Sequence, residues 1–165
     1  MKRLLILSDT HLAEDEVLPD EVLALAKDCD GVIHAGDVFT PGALAKVKAL
    51  GPATVALGNM DHLALTGLLP EVAEVTVEGV KIGVIHGWGA PQGIVQRILP
   101  KVRDRGFDVV VYGHSHQPDI SGAEGILFLN PGSSTDRRGA PYHSVGILEV
   151  ADGEVADARI VDIGR

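Results

Sequence analysis

Several short aliphatic runs of this chain end in residues that bind metal ions well, and this pattern constrains the fold more than any other. The first run is followed by Asp9 and His11, and a later run is followed by His114 and His116. Alternate residues of a β-strand point to the same face, so D-x-H and H-x-H each direct two ligand side chains the same way. Imidazole and carboxylate groups together suit zinc or a first-row transition metal. The two pairs therefore predict a metal site at the ends of strands.

Three more aliphatic runs lie between these two and also end in polar residues. Residues 31–35 are followed by Asp37, residues 54–57 by Asn59 and Asp61, and residues 80–85 by His86. In open α/β sheets the carboxyl ends of the strands form the ligand crevice. We therefore expect all five polar clusters to meet at one edge of a sheet, where they would form a single site.

Helical patterns alternate with the aliphatic runs through the first two-thirds of the chain. Helices are predicted for residues 19–28, from about residue 41, and for residues 91–105, with a distortion at Pro100. Further strands are predicted at residues 75–77, 126–129, 144–150 and 154–161. Alternating strands and helices followed by a β-rich end predict an α/β fold with two packed β-sheets.

The composition is that of one globular domain covering residues 1–165, with 45% apolar and 22% charged residues. Because only 4% of the residues are aromatic, aliphatic side chains must form most of the core. A net charge of −9 argues against sequence-independent binding of long nucleic acids, which requires basic surface. Cys29 is the only cysteine, so we expect no intrachain disulfide, and no apolar run is long enough to span a membrane. We predict a cytoplasmic protein.

Each of these motifs, taken alone, has an ordinary structural explanation. An Asp after a strand often caps the next helix, Asn59 is typical of a turn, and His86 could be a buried histidine with satisfied hydrogen bonds. The G-H-S-H sequence at residues 113–116 could be a polar turn at the surface. Five such clusters, each directly after an aliphatic strand, favour a functional site over a coincidence of structural roles.

The order of the motifs resembles that of the calcineurin-like metallophosphoesterases. These motifs are D-x-H, G-D, G-N-x-D, a His followed by Gly, and G-H-x-H, and Asn130-Pro131-Gly132-Ser133 adds to the match. The short chain is most similar to the small bacterial and archaeal phosphodiesterase branch, and the similarity covers about residues 1–150. The resemblance implies two packed β-sheets flanked by helices, a four-layer αββα sandwich, with the metal site at the carboxyl ends of the strands.

The resemblance also implies two divalent metal ions. Manganese is favoured, although iron, zinc, nickel or magnesium would suit the same kinds of ligand. The implied ligands are Asp9, His11, Asp37 and His116 for one ion, and Asp37, Asn59, His86 and His114 for the other. Asp37 would bridge the two ions, and a hydroxide between them would attack phosphorus. Two dications against two carboxylates leave a positive centre, which would attract a phosphate ester to an acidic protein.

The third motif departs from the pattern of many family members, which have G-N-H. That histidine is thought to act beside the leaving group, but here the position is Met60, and a thioether cannot donate a proton. Asp61, His62 and Arg138 are further candidates for catalytic roles, His62 as a substitute acid and Arg138 as a ligand to phosphate. His62 could instead be a surface histidine, and Arg137 and Arg138 could be solvated loop residues.

These observations predict a phosphoric ester hydrolase, a phosphodiesterase more than a phosphomonoesterase, that acts on a small phosphate ester. A catalytically silent metal-binding scaffold is the alternative from another class, because a eukaryotic retromer subunit resembles this fold without catalysis. Phosphomonoesterase activity and cleavage of short oligonucleotides are further alternatives, whereas the chain lacks the basic stripe and interleaved aromatic residues that bind extended nucleic acid. We expect no membrane partner, and exposed strands in the β-rich end could support a homo-oligomer.

Overall fold

The computed structural model describes residues 1–165 and contains ten β-strands, three α-helices and one short 3₁₀-helix. The strands are β1 (Lys2–Leu7), β2 (Gly31–His34), β3 (Ala53–Val55), β4 (Val72–Val77), β5 (Val80–Ile85), β6 (Val109–Val111), β7 (Asp119–Ala123), β8 (Ile126–Asn130), β9 (His143–Ala151) and β10 (Glu154–Gly164). The helices are α1 (Asp20–Ala26), α2 (Pro41–Lys48) and α3 (Ile94–Val102), and the 3₁₀-helix spans Leu63–Leu65. No helix is both long and apolar enough to cross a lipid bilayer.

Two five-stranded mixed sheets form the centre of the molecule. The first sheet has the strand order β10-β9-β1-β2-β3, and the second has the order β4-β5-β6-β8-β7. Strands β1, β2 and β3 are parallel in the first sheet, and β5, β6 and β8 are parallel in the second. Antiparallel neighbours complete both sheets. Each sheet therefore presents the carboxyl ends of three parallel strands at one edge.

The alternation of side chains along β1 explains how the molecule is layered. Leu4 and Ile6 belong to the apolar layer between the two sheets, whereas Leu5 and Leu7 belong to the layer beneath α1 and α2. A third apolar layer joins α3 to the outer face of the second sheet. Because the parallel strands are buried on both faces, they are continuous aliphatic runs in the sequence. The predicted four-layer αββα sandwich is confirmed.

Two features of the fold differ from the prediction. The five polar clusters follow strands of two sheets rather than one, because β1, β2 and β3 lie in the first sheet and β5 and β6 lie in the second. The sheets pack face to face, so the loops after both sets of strands still meet. Strand β7 is not predicted from the sequence, because its residues, D-I-S-G-A, contain no aliphatic run.

The helices lie where the periodicity places them, and their ends have recognisable causes. Helix α2 begins just after the loop that carries Asp37. The Thr40 side chain caps it by accepting a hydrogen bond from Ala43 N at 3.1 Å, and Pro41 occupies its first turn. Helix α3 continues through Pro100, so the predicted distortion does not interrupt it.

Candidate metal centre

The loops that follow β1, β2 and β6 adopt an unusual backbone conformation at the predicted metal ligands. Five of these ligands have a positive φ, between 45° and 72°: Asp9, His11, Asp37, His114 and His116. Residues other than glycine rarely adopt this left-handed conformation, and clusters of such residues are typical of functional sites. The conformation turns the chain sharply after each strand, and it brings these side chains to a common point.

Each of the two predicted carboxylate ligands is held through one oxygen and keeps the other oxygen free. Asp9 Oδ2 accepts hydrogen bonds from Ser8 Oγ at 2.6 Å and from His114 N at 3.0 Å. Asp37 Oδ1 accepts a hydrogen bond from Met60 N at 2.7 Å. The remaining oxygens, Asp9 Oδ1 and Asp37 Oδ2, face the histidines. Both carboxylates are therefore oriented for a ligand before it binds.

Three of the predicted histidine ligands each donate one ring N–H to a backbone carbonyl. His86 Nδ1 donates to Ala35 O at 2.7 Å, His114 Nε2 to Gly89 O at 2.9 Å, and His116 Nδ1 to Asp136 O. Because a carbonyl oxygen can only accept, these hydrogen bonds fix the tautomer and leave a lone pair on the other nitrogen of each neutral ring. Metal-binding histidines are typically held in this way.

The free atoms of these ligands converge on two overlapping clusters. His11 Nε2 lies 3.7 Å from Asp9 Oδ1 and 3.5 Å from Asp37 Oδ2. His86 Nε2 lies 3.7 Å and 3.3 Å from the same two oxygens, and His116 Nε2 lies 3.3 Å from Asp9 Oδ1. One cluster consists of Asp9, His11 and His116, the other consists of Asp9, Asp37 and His86, and in each the ligand atoms lie within 4.8 Å of one another.

The two remaining predicted ligands, Asn59 and His114, adjoin the second cluster. Asn59 Oδ1 lies 2.9 Å from His86 Nε2 and 3.3 Å from His114 Nδ1. The structure therefore places all seven predicted metal ligands together, although they come from loops after five strands in two sheets.

The electrostatics of the buried groups favour a cation at this point. Burial alone raises the pKa of Asp9, but interactions with His11 and His116 outweigh it and hold this pKa well below its ordinary value. Burial lowers the pKa of His116, but its contact with Asp9 outweighs burial and raises it. Burial also lowers the pKa of His86, but its contact with Asp37 outweighs burial and raises this pKa. The buried carboxylates thus attract positive charge, either as a proton on a neighbouring imidazole or as a bound cation.

The unpaired atoms of the chain provide a direct test of whether these residues fit a metal ion. Asp9 Oδ1, His11 Nε2 and His116 Nε2 are buried and have no hydrogen-bond partner. A buried polar atom without a partner costs about 1–3 kcal/mol, and more if it is charged. A divalent cation would satisfy all three atoms, and mixed nitrogen and oxygen donors suit manganese, iron or zinc. The residues therefore fit a metal centre.

Comparison with known proteins assigns the family. The model of the calcineurin-like phosphoesterase superfamily domain matches residues 1–153. The chain belongs to this superfamily. It is 35% identical over 161 residues to a probable metallophosphoesterase of Methanothermobacter thermautotrophicus, and the alignment covers 96% of this chain and 91% of that protein. The family predicted from the order of the motifs is confirmed.

Two solved structures illustrate what this fold supports in other proteins. An archaeal phosphodiesterase is 21% identical with a TM-score of 0.70, and the match covers 96% of this chain and 99% of that one. Vps29 from Entamoeba histolytica, solved in complex with zinc, is 21% identical with a TM-score of 0.72, and the match covers 98% of both chains. At this level of identity the two structures establish the shared fold alone.

Several residues that support the candidate metal centre were not predicted as site residues. Ser133 Oγ donates to Asp9 O at 2.8 Å. Asn130 Nδ2 donates to Gly113 O at 3.2 Å and to Ser115 Oγ at 3.0 Å, and so ties the G-H-S-H loop to the end of β8. Both residues belong to the N-P-G-S motif, which the sequence reveals only through the family resemblance. The motif therefore holds the ligand loops in place.

A second unpredicted support is Arg97 in α3. Its guanidinium donates four hydrogen bonds to the backbone carbonyls of Trp88, Ala90 and Gln92. These hydrogen bonds hold the loop of residues 88–92, in which Gly89 O accepts a hydrogen bond from His114 Nε2. Gly89 has a φ of 84°, and a Cβ on this residue would lie 2.9 Å from Arg97 Nε, so the arginine and the glycine fit each other. A single arginine in an amphipathic helix gives no sequence signal of such a role.

The buried His34 lies beneath the site. Gly36 N donates to His34 Nδ1 at 3.2 Å, so the neutral ring carries its proton on Nε2, which lies 3.0 Å from the Thr10 hydroxyl. Burial lowers the pKa of His34 to about 4. His34 is therefore neutral at ordinary pH, and it positions Thr10 between two ligands rather than binding an ion itself.

The further catalytic candidates occupy different positions around the candidate metal centre. The Asp61 carboxylate accepts hydrogen bonds from Gly58 N and Phe39 N, both at 2.7 Å, and from Asp37 N at 3.3 Å. Burial raises the pKa of Asp61. These contacts show that Asp61 joins the loop of Asp37 to the loop of Asn59. A role for Asp61 in catalysis itself stays a prediction.

His62 and Arg138 both lie at the surface. His62 Nδ1 accepts a hydrogen bond from Ala64 N at 3.1 Å and caps the 3₁₀-helix, and its side chain is exposed. The Arg138 side chain is 52% exposed, and its Nε lies 3.7 Å from the Asp136 carboxylate. The structure thus gives His62 a local structural role and places Arg138 beside Asp136, while their predicted catalytic roles stay predictions.

Proposed function

We propose that this chain is a phosphodiesterase that hydrolyses a small phosphate ester with two divalent metal ions, manganese being the favoured metal. The observation that carries the proposal is the set of buried donor atoms without partners, which are Asp9 Oδ1, His11 Nε2 and His116 Nε2. Membership of the calcineurin-like phosphoesterase superfamily supports hydrolysis of a phosphate ester as the reaction.

The seven converging side chains would hold the ions as two sets that share a carboxylate. One set is Asp9, His11, Asp37 and His116, and the other is Asp37, Asn59, His86 and His114. Asp37 Oδ2 suits the shared position, because it lies 3.5 Å from His11 Nε2 and 3.3 Å from His86 Nε2. When bound, divalent ions supply Lewis acidity, which polarises a phosphoryl group and makes water a nucleophile at neutral pH.

The residues of this chain contribute fixed orientation. Asp9 and Asp37 are each held through one oxygen, so neither has to reorganise when a phosphate ester approaches. Met60 orients Asp37 through its backbone N–H, but its thioether cannot donate a proton to the leaving alcohol. We therefore expect faster hydrolysis of esters whose alcohol departs readily without protonation.

Hydrolysis of diesters is proposed ahead of hydrolysis of monoesters because the sequence most resembles the small phosphodiesterases of the family. The similarity of the fold to an archaeal phosphodiesterase over nearly the whole chain supports this choice. The fold is also similar to that of Vps29, which was solved in complex with zinc, so metal binding alone does not separate the phosphodiesterase from a silent metal-binding scaffold, whereas hydrolysis does. A small-molecule partner and a cytoplasmic location are proposed with the phosphodiesterase function.

The test is hydrolysis of p-nitrophenyl phosphate and bis-p-nitrophenyl phosphate by protein stripped of metals. Manganese, zinc, magnesium or no metal is added back, and an Asp37→Asn variant serves as the matched control. We expect manganese to restore activity, the diester to be the better substrate, and the variant to lose the restored activity.

Each outcome decides between the candidates. Restored activity on the monoester alone would replace the phosphodiesterase by a phosphomonoesterase. Folded protein that binds metal but hydrolyses neither ester would favour the scaffold, and activity without any metal would overturn the proposal altogether.

A further inference from the structure

Asp61 lies two residues after the predicted metal ligand Asn59, and both oxygens of its carboxylate are engaged by backbone N–H groups. Oδ1 accepts a hydrogen bond from Phe39 N at 2.7 Å, and Oδ2 accepts hydrogen bonds from Gly58 N at 2.7 Å and from Asp37 N at 3.3 Å. Hydrogen bonds to an ionised acceptor are about twice as strong as those between neutral groups. The carboxylate of Asp61 is therefore a strong link between the loop of Asp37 and the loop of Asn59.

The two loops are also joined in the opposite direction and at very close range. Met60 N donates to Asp37 Oδ1 at 2.7 Å, so the backbone beside Asp61 holds the carboxylate of Asp37 in turn. A Cβ on Gly58 would lie 2.1 Å from Asp37 N and 2.2 Å from Asp37 Oδ1, so only glycine fits at this position. Because the loops touch here, a shift of one loop displaces the ligand on the other.

The ligand atoms on these two loops face the same nitrogen. His86 Nε2 lies 3.3 Å from Asp37 Oδ2 and 2.9 Å from Asn59 Oδ1. In the neutral ring this nitrogen carries a lone pair, as both oxygens do, so the three atoms do not attract one another. Asn59 is also exposed, so the core does not hold its side chain. The loops themselves must therefore keep Asp37 and Asn59 at the spacing that a cation would need.

The hydrogen bonds of Asp61 also indicate how this residue would serve hydrolysis. An ionised carboxylate only accepts hydrogen bonds, whereas a protonated carboxyl group has to donate through one of its oxygens. Both oxygens of Asp61 face backbone N–H groups, which are donors, so a proton on either oxygen would weaken the hydrogen bonds that this oxygen accepts. The geometry therefore favours a charged residue that acts through Asp37 and Asn59 over one that gives a proton to the substrate.

We propose that Asp61 is a positioning residue, which holds Asp37 and Asn59 at the spacing needed by one of the two ions. This is the ion that these ligands would bind together with His86 and His114. The proposal rests on the proposed function and concerns the same metal centre. Asp61 itself contacts neither the ions nor the substrate, and it acts by holding two loops from different strands against each other.

Apart from Asp37, the ligands of the other ion do not depend on Asp61. Asp9 is held by hydrogen bonds from Ser8 Oγ and His114 N, and His116 is held by its hydrogen bond to Asp136 O. Loss of the Asp61 carboxylate should therefore be felt mainly by the ion that Asn59 binds.

The test is calorimetric titration of metal-free Asp61→Asn protein with manganese. Asparagine has the shape of aspartate, but its amide offers one acceptor oxygen and an NH₂ donor, so at least one of the three backbone hydrogen bonds is lost. We expect one binding step, the step that Asn59→Ala also weakens, to lose about 10- to 100-fold in affinity. The other step should change much less. Unchanged affinities, or an equal loss in both steps, would overturn the proposal.

Asp61→Glu separates position from charge. It keeps the negative charge, but its additional methylene group displaces the carboxylate from the backbone N–H groups of Gly58 and Phe39. We expect it to weaken the same binding step by a similar factor. Full affinity in Asp61→Glu together with a loss in Asp61→Asn would assign the effect to charge and overturn the proposal. Cooperative thermal melting checks that both variants fold, and if one does not, the other decides.

Asp108→Asn is the matched control. Asp108 Oδ2 accepts a hydrogen bond from Lys81 N at 2.8 Å and so also links two segments of backbone. This link lies at the start of β5 and β6, whereas the metal ligands follow the ends of these strands. Asp108→Asn should leave both metal-binding steps unchanged. A loss of manganese affinity in this variant would show that any loosened link weakens the centre, and the specific role of Asp61 would be withdrawn.

Hydrolysis distinguishes a positioning residue from a proton donor. At limiting manganese, Asp61→Asn should lower kcat/KM by about tenfold on both methyl p-nitrophenyl phosphate and a dialkyl phosphate, and excess manganese should restore most of the loss. A larger loss on the dialkyl ester that excess manganese does not restore would make Asp61 the proton donor and overturn the proposal. If the wild type hydrolyses neither ester, the phosphodiesterase function fails, while the manganese titration still decides the role of Asp61.

Discussion

The two sides of the candidate metal centre contain similar ligands but differ in what the ligand atoms contact. We call Asp9, His11 and His116 the His11 side, and Asn59, His86 and His114 the His86 side. Asp37 Oδ2 lies between them, 3.5 Å from His11 Nε2 and 3.3 Å from His86 Nε2. On the His11 side, Asp9 Oδ1 and the Nε2 atoms of both histidines have no hydrogen-bond partner. On the His86 side, the Asn59 amide lies 2.9 Å from His86 Nε2 and 3.3 Å from His114 Nδ1.

This difference indicates that the two sides would bind metal with different affinity. An ion on the His11 side satisfies three buried atoms that have no other partner, and it gives up no hydrogen bond in return. An ion on the His86 side binds Asn59, which is exposed, and His114, which is half-buried, so it displaces water that already solvates these groups, and this exchange reduces the net gain. We therefore expect two binding steps, with the tighter one on the His11 side.

Asp9→Asn should have the largest effect, because Asp9 Oδ1 contacts histidines of both sides. The substitution removes a negative charge while keeping the shape of the side chain. We expect kcat/KM for bis-p-nitrophenyl phosphate to fall by about 10³-fold and both metal-binding steps to weaken.

Asp30→Asn is the matched control for Asp9→Asn, because Asp30 is exposed and contacts Lys2 and Arg3 away from the site. It should keep wild-type activity. Wild-type activity in Asp9→Asn would show that the contacts of Asp9 with the histidines of both sides do not matter for catalysis, and it would end the comparison of the two sides.

His11→Ala and His114→Ala test the comparison itself. His11→Ala should weaken the tighter binding step by about 100-fold, and His114→Ala should weaken only the other step by a similar factor. Calorimetric titration of metal-free protein with manganese measures both steps, and the metal content after dialysis checks the stoichiometry. If His114→Ala removed the tighter step, the order of the two sides would have to be reversed.

Arg97→Met should act on the His86 side alone and more weakly. It removes the hydrogen bonds that hold residues 88–92, so the carbonyl of Gly89 no longer fixes the ring of His114. We expect the weaker metal-binding step to lose about tenfold in affinity, as is typical when the partner of a metal ligand is disturbed. Gly89→Ala should have the same effect, because its Cβ would lie 2.9 Å from Arg97 Nε.

Arg103→Met, at the end of the same helix, is the control for Arg97→Met, since Arg103 is exposed and contacts only Glu124. It should leave both metal-binding steps unchanged. A loss in both steps in Arg97→Met would point to general destabilisation rather than to positioning of His114.

The ligands of both sides are predictable from the sequence because each follows its strand directly. Asp9, His86 and His114 lie one to three residues beyond a buried aliphatic run, and buried strands are the clearest local signal in the chain. For the same reason the strands and helices were predicted well, apart from β7. Which strands share a sheet depends on pairing between distant residues, and this explains the wrong expectation of a single sheet edge.

The residues that support the ligands are not predictable in this way. Arg97 acts on carbonyl groups of a loop, Ser133 on the carbonyl group of Asp9, and Asn130 on that of Gly113. Backbone groups are the same at every position, so no residue type marks the partner in the sequence. The difference between the two sides is equally invisible in the sequence, because it depends on how deeply the fold buries each ligand.

Met60→His should have the smallest effect, and it concerns the His86 side, where Met60 N donates to Asp37 Oδ1. The Met60 side chain is 50% exposed, so a histidine can be accommodated without repacking the core. A protonated imidazole at this position could donate a proton to the leaving alcohol. A general acid in a natural active site typically raises the rate by about 10²-fold or more. Because the position of this imidazole is not optimised, we expect the rate to rise by only about threefold.

The gain should be confined to esters with poor leaving groups. With methyl p-nitrophenyl phosphate, which releases an easily departing phenolate, the variant should match the wild type, whereas with a dialkyl phosphate it should be faster. Because the imidazole acts as an acid only when protonated, the gain should be full below its pKa of about 6.5 and should vanish as the pH rises above it. Met60→Gln, of similar size but without an ionisable group, controls for the change in shape. No gain on the dialkyl ester at any pH would show that a missing proton donor does not limit this site, and the preference for readily departing alcohols would then need another cause.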